Sequence, residues 1–191
     1  MALPEAPKAG LVVCHPHPLY GGDMDNPVVV RVAEVAQGAG VATLRFNFRG
    51  VGASGGVHGS GEGEQDDVAA ALAVLAGRLP AKSPIGLAGY SFGAWVAARV
   101  AAAMPALPAL ALLAPPLAMY DLDFLGHAPS RTLLVSGSRD QYCPAEAIER
   151  LGRRLGIKAE TVEGAEHFFF GKLFPLGEAL LRWIRTWTPQ G

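Results

Sequence analysis

Short apolar runs alternate with longer amphipathic ones along the whole chain. Ala9–Cys14 is mostly apolar and suits a strand buried on both faces. Val41–Phe48, Pro84–Tyr90, Ala109–Ala114, Arg131–Gly137 and Lys158–Val162 repeat that type of run. Between them lie segments with helical spacing and helix-end signals. Asp25 or Asn26 caps a helix with Pro27 in its first turn, running to about Gln37 and closed by Gly38. Asp66 can cap the next, through about Arg78. A third follows Pro84–Tyr90 directly and runs to about Ala103, Pro144 opens a fourth to about Leu155, and the last covers about Pro175 to Trp187. This alternation predicts a single α/β domain over residues 1–191, a doubly wound and mostly parallel sheet of about six strands with helices on both faces. No internal repeat, heptad run or low-complexity linker interrupts it.

Composition narrows the class of partner. At 191 residues with a formal charge of -1, the chain can bury one full core and presents no excess of basic charge. Nucleic acid and anionic membrane are therefore not expected partners, and a small molecule is. The two cysteines, Cys14 and Cys143, form no disulfide framework or zinc spacing. The first residues carry no apolar stretch of signal-peptide length, so a cytoplasmic location is expected. Val100 to Tyr120 lacks charge and is long enough to cross a bilayer, but Pro105, Pro108, Pro115 and Pro116 divide it into a helix end, a turn, a buried strand and a loop.

The polar residues gather where strands end. In open parallel sheets ligands bind beyond the carboxyl ends of the strands. The first strand opens into His15-Pro16-His17-Pro18-Leu19-Tyr20-Gly21-Gly22, the third ends at Ser91, the fifth at Ser136-Gly137-Ser138-Arg139-Asp140, and the sixth precedes Gly164-Ala165-Glu166-His167. Gly89-Tyr90-Ser91-Phe92-Gly93 is a G-x-S-x-G turn between a strand and a helix. Such a turn holds a serine hydroxyl out for a base and needs small residues two positions either side, where strand and helix nearly touch. The helix aims its free N–H groups at the same place, so the Phe92 amide is a candidate oxyanion donor. Gly52-Ala53-Ser54-Gly55-Gly56 fits the same pattern. No helical periodicity follows it, and context selects Ser91.

Other residues have plainer readings. Cys14, His15 and His17 sit on an extended segment, point to alternate sides and have no acidic partner, so no metal is expected. Gly50-Val51-Gly52-Ala53-Ser54-Gly55 matches G-x-G-x-x-G, but no helix opens there and no acidic residue ends the next strand, so no nicotinamide or flavin cofactor is expected. Asp66 and Asp67 read as helix caps, and His58 and His127 as solvated loop residues. Pro16 and Pro18 have no N–H, which leaves His17 or Leu19 as the donor available in the first loop.

The chain resembles the α/β-hydrolase superfamily, and within it the small, lidless, dienelactone-hydrolase-like serine hydrolases and esterases with an HPHP…GG loop. The likeness rests on Cys14–Pro18 with Gly21-Gly22, Leu44–Gly55, Gly89–Gly93, Gly137–Asp140 and Glu163–Phe169, nearly the whole chain. It implies a nucleophile, acid and base in the chain order Ser91, Asp140, His167. Asp121 and Asp123 follow the fourth strand, where some members place the acid; Asp140 follows the fifth and is favoured. The resemblance also favours His17 over Leu19 as the second backbone donor beside Phe92. Asn47 stands where an aspartate is usual, in a structural turn. The segment before Ala9 is too short for the hairpin that usually starts this fold, which leaves the strand order 2-1-3-4-5-6 with any extra strand short. No insertion is large enough for a lid, though Pro115–Ser130 can form one pocket wall. The implied activity is hydrolysis of small carboxylic esters, thioesters or lactones through an acyl-enzyme on Ser91, without cofactor. A small acyl substrate is the expected partner, and a homodimer is compatible with the sequence. A non-catalytic ligand-binding or scaffolding protein on the same fold is the rival reading, since fold does not fix function.

Overall fold

A computed structural model of the chain describes residues 1–189. Six strands form one parallel sheet: β1 (Gly10–Cys14), β2 (Ala42–Arg45), β3 (Ile85–Tyr90), β4 (Ala109–Leu113), β5 (Arg131–Gly137) and β6 (Ala159–Val162), in spatial order β2-β1-β3-β4-β5-β6. The order reverses once, between β1 and β3, as a doubly wound sheet does. Every residue of β1 and β4 is buried. That follows from helices on both faces, which turn a strand into a continuous apolar run instead of an alternating one.

Helices α1 (Pro27–Gly38) and α5 (Leu173–Trp187) pack together on one face. Helices α2 (Glu62–Ala76) and α3 (Phe92–Ala103) pack together on the other, and α4 (Ala145–Leu155) covers β5 and β6. Asn26 caps α1 by accepting the Val28 N–H at 3.0 Å, with Pro27 as first helical residue. Among the described residues no helix is long and apolar enough to cross a membrane; Val100 to Tyr120 resolves into the end of α3, a turn, β4 and a loop.

Two elements depart from expectation. The run Val41–Phe48 forms a strand only over Ala42–Arg45, because the chain then leaves the sheet edge to tuck Phe48 beneath the loop after β1. Helix α2 begins at Glu62 instead of Asp66. Its N-cap is Gly61, and the side chain of Glu64 accepts the N–H groups of Gly59 at 2.8 Å and Gly61 at 2.7 Å. A carboxylate three residues into the helix thus does the work of a cap side chain. The antiparallel extra strand is reduced to one bridge between Ala2 and Thr43.

Candidate active site

Strand β3 ends at Tyr90 and α3 starts at Phe92, so Ser91 alone makes the turn, at φ 55° and ψ −122°. A non-glycine residue holds such a conformation only when its surroundings force it. The force here is proximity. A Cβ on Gly89 would stand 2.1 Å from the Gly93 carbonyl oxygen, and one on Gly93 would stand 2.5 Å from that of His15. The Ser91 amide donates to the Leu113 carbonyl at 2.9 Å, and the Ala94 and Trp95 amides donate to the Ser91 carbonyl. The hydroxyl is therefore fixed at the carboxyl edge of the sheet.

Asp140 lies in the turn after β5. Its Oδ1 accepts the amides of Tyr142 and Cys143, both at 2.9 Å, and its own amide donates to the Gly137 carbonyl. His167 lies in the loop after β6, where the Tyr90 hydroxyl donates to the His167 carbonyl at 3.0 Å. Two further bonds join the loops that carry acid and imidazole: Ser138 Oγ accepts the Gly164 amide at 2.8 Å, and the Arg139 amide donates to the Ala165 carbonyl at 2.9 Å. Beyond His167 the chain turns through Phe169, which takes a φ of 53° and is buried while Phe168 and Phe170 face outward.

These loops bring three of the expected residues together. His167 Nδ1 lies 2.9 Å from Asp140 Oδ2 and 3.0 Å from Oδ1, and His167 Nε2 lies 2.9 Å from Ser91 Oγ. All three side chains are buried. A carboxylate only accepts, so Nδ1 carries the ring proton and Nε2 turns a lone pair to the serine hydroxyl. Asp121 and Asp123 stand apart, exposed, in a surface turn where Asp121 Oδ1 accepts the Asp123 amide. Ser54 is tied into its own turn, its hydroxyl donating to the Asn47 carbonyl at 2.8 Å.

The loop after β1 faces this cluster. Its turn runs through a short 3-10 helix, Pro18–Tyr20, and the Tyr20 and Gly22 amides donate to the His17 carbonyl. The Leu19 amide is engaged by His17 Nδ1 at 3.2 Å, which removes Leu19 as a free donor. The His17 and Phe92 amides take no part in these turn bonds, and both residues line the same cleft as Ser91. His15 braces the loop from below: Nδ1 donates to the Pro16 carbonyl at 2.6 Å and Nε2 accepts the Phe48 amide at 2.9 Å. Burial holds the His15 imidazole below its ordinary value, against the Pro16 carbonyl and the charges of Asp23 and Glu64. Asn47 Oδ1 accepts the Met24 amide at 2.8 Å and so ties the next loop alongside.

The cleft holds about 400 Å³. Tyr20, Pro116, Met119, Tyr120, Tyr142 and Phe168 form its walls around Ser91 and His167, so the Pro115–Ser130 segment does supply one side.

Three polar residues play parts that their sequence context hid. Asp67 is not a cap; from within α2 it grips Arg49, with distances of 2.8 to 3.1 Å to Nε and Nη2, and accepts the Arg49 amide at 2.9 Å. Asp66 is a neighbour of that pair, 3.9 Å from Arg49. His58 is not solvated: its Nδ1 lies 2.9 Å from Glu64 Oε1, too poorly aligned for a hydrogen bond, with the Glu64 side chain wholly buried. Burial works to raise the Glu64 carboxyl, but the amides of Gly59, Glu64 and Gly61 and the charge of His58 outweigh it and hold it below its ordinary value. The glycines alternating through Gly59-Ser60-Gly61-Glu62-Gly63-Glu64 were the available signal, since bare amides near a carboxylate invite this bonding. His127 is exposed.

A doubly wound sheet with a strand–serine–helix turn at its carboxyl edge defines the α/β-hydrolase class. The chain belongs to that family: the alpha/beta hydrolase domain model matches residues 8–172. It is 34% identical over 193 residues to an uncharacterized protein, RP471, of Rickettsia prowazekii, spanning 96% of this chain and 80% of that one. Its structure is similar to an alpha-beta serine hydrolase homologue from Coxiella burnetii, with 36% identity and a TM-score of 0.86 over 95% of this chain and 86% of that one. It is also similar to XC6422 of Xanthomonas campestris, described as an α/β serine hydrolase without a lid, with 34% identity and a TM-score of 0.88 over 99% and 88% of the two chains. The fold is that of the lidless α/β hydrolases, and hydrolysis is the activity class.

Proposed function

We propose that the chain is a serine esterase that cleaves small carboxylic esters, with thioesters and lactones as close variants, through an acyl-enzyme on Ser91. The observation that carries this is the unbroken line of contacts from Ser91 Oγ to His167 Nε2 at 2.9 Å and from His167 Nδ1 to Asp140 Oδ2 at 2.9 Å. His167 Nε2 takes the hydroxyl proton as Oγ bonds to the substrate carbonyl carbon, and Asp140 orients the imidazolium that forms. The carbonyl oxygen becomes an oxyanion, received by the amides of Phe92, at the positive end of α3, and of His17. As the C–O bond to the leaving alcohol breaks, Nε2 returns the proton to that alcohol. Water then repeats the cycle on the acyl-enzyme and frees the acid. The open cleft of about 400 Å³ fits a small or flexible acyl group.

A fluorophosphonate probe tests the assignment. One adduct on Ser91 is expected, absent in Ser91→Ala and slowed by a factor of at least about 10³ in His167→Ala. Hydrolysis of short p-nitrophenyl esters should fall in parallel. An adduct on Ser54, or labelling that survives Ser91→Ala undiminished, defeats the proposal.

A further inference from the structure

Behind the loop that follows β1, three rings meet in a closed triangle. The centroid of His17 lies 4.6 Å from that of Phe92 and 4.9 Å from that of His58, and His58 lies 5.5 Å from Phe92. His17 and Phe92 are the two residues whose amides are assigned to the oxyanion. His58 belongs to neither element: it stands on the segment leading into α2, half-buried, outside the cleft's lining. Its ring is set from behind by Glu64, whose carboxylate is anchored by the Gly59 and Gly61 amides and stands 2.9 Å from His58 Nδ1.

The two donors are unequally supported. The Phe92 amide is fixed by the start of α3. The His17 amide rides on a loop: His15 Nδ1 holds the Pro16 carbonyl of the same peptide at 2.6 Å and the Tyr20 and Gly22 amides hold the His17 carbonyl, while the tip beyond is bare, with Leu19 70% and Tyr20 79% exposed. Among the described residues, the aromatic rings against His17 are those of Tyr20, Phe92 and His58, and of these Tyr20 is itself unsupported at the surface. Below that exposed tip, His58 and Phe92 are thus the two rings against which the His17 side chain packs. Hydrogen-bond stabilisation of a developing charge tolerates little displacement of its donors, whereas ground-state binding in an apolar cleft tolerates more.

We propose that His58 is a positioning residue for the oxyanion site, its ring packed against both His17 and Phe92 so that it buttresses the one against the other. The inference rests on the esterase reading above. The contribution is the flat face of the ring: the Glu64 carboxylate keeps its amide partners without the imidazole, so a phenyl ring at position 58 can serve.

The test compares wild type, His58→Ala and His58→Phe in ester hydrolysis and in binding of a trifluoromethyl ketone analogue, whose carbonyl becomes a tetrahedral oxyanion when Ser91 adds to it. Wild-type turnover and its loss in Ser91→Ala are read first; if either is missing, the esterase reading falls and this inference falls with it. Given both, His58→Ala is expected to lower kcat about tenfold or more, with KM within twofold, and to weaken ketone binding by the same factor. His58→Phe is expected to recover both to within about threefold of wild type. If His58→Ala does not fold, His58→Leu, of similar bulk without a flat face, takes its place with the same expected loss. Activity and ketone affinity within twofold of wild type in the Ala or Leu variant overturns the inference while leaving the esterase reading intact. So does a fall in rate with unchanged ketone affinity, or a His58→Phe enzyme as impaired as His58→Ala.

Discussion

His15 does its work only as a neutral ring, donating a hydrogen bond to the Pro16 carbonyl through Nδ1 and accepting one from the Phe48 amide at Nε2. Protonation would put a second N–H where Nε2 must accept. Replacement by Phe keeps a ring against Phe48, 4.6 Å away, but leaves the buried Phe48 amide unpaired. His15→Phe is therefore expected to lose about 1–3 kcal/mol in urea unfolding at pH 7.5. The sign of the pH dependence follows from burial, which holds the folded His15 below the ordinary imidazole value of about 6.5. The unfolded chain binds the proton more readily, so the stabilisation is complete above that value and is lost as pH falls below it. Urea curves at pH 5.5 should accordingly show a smaller gap between wild type and His15→Phe than curves at pH 7.5. A gap that widens on acidification would contradict the assigned neutral ring.

At the scale of elements, the turn between β3 and α3 is a joint made possible by missing side chains. Adding one methyl at Gly89 sets it 2.1 Å from the Gly93 carbonyl oxygen, which is main chain and has nowhere to go. Gly89→Ala is expected to open the turn, abolish fluorophosphonate labelling of Ser91 and lower the melting temperature, measured by calorimetry on the same preparation. A labelled, fully stable Gly89→Ala protein would mean that strand and helix are not locked at this point. This joint was legible in the sequence because its chemistry is local: two glycines, a serine and a helix within five residues. The strand order was legible only through the resemblance to the α/β-hydrolase superfamily, since alternation of apolar runs and helices predicts a parallel sheet without its order, and β4 passes to β5 through a loop with no helix.

What escaped the sequence depends on partners distant along the chain. Val41–Phe48 reads as one strand, yet the ladder stops at Arg45 because the Phe48 amide finds the imidazole of His15 instead of a neighbouring strand. Asp67 reads as a cap because an acid near a helix start usually is one; Arg49, across a glycine-rich loop, claims it. His58 reads as solvated because its nearest charged partner, Glu64, looks like one more exposed acid in a polar helix start, and only the folding of Gly59–Gly63 around that carboxylate buries it. The cluster of Ser91, Asp140 and His167 was foreseeable from the resemblance, whose nucleophile–acid–base order these residues follow, but which atoms meet is set by the bonds between the loops after β5 and β6.

Over the whole molecule, both thiols lie inside. Cys14 is at the end of β1, which lies between β2 and β3, and Cys143 is under the turn that carries Asp140; each is fully buried, and desolvation raises both thiols. The native protein should thus be nearly silent to iodoacetamide. Its two cysteines become internal clocks for different motions: Cys143 can be reached by lifting one loop, whereas Cys14 is exposed only when the sheet itself comes apart. Peptide mapping after timed alkylation should find carbamidomethyl at Cys143 well before Cys14, so that breathing of the acid-bearing loop can be timed separately from loss of the fold, with no engineered reporter.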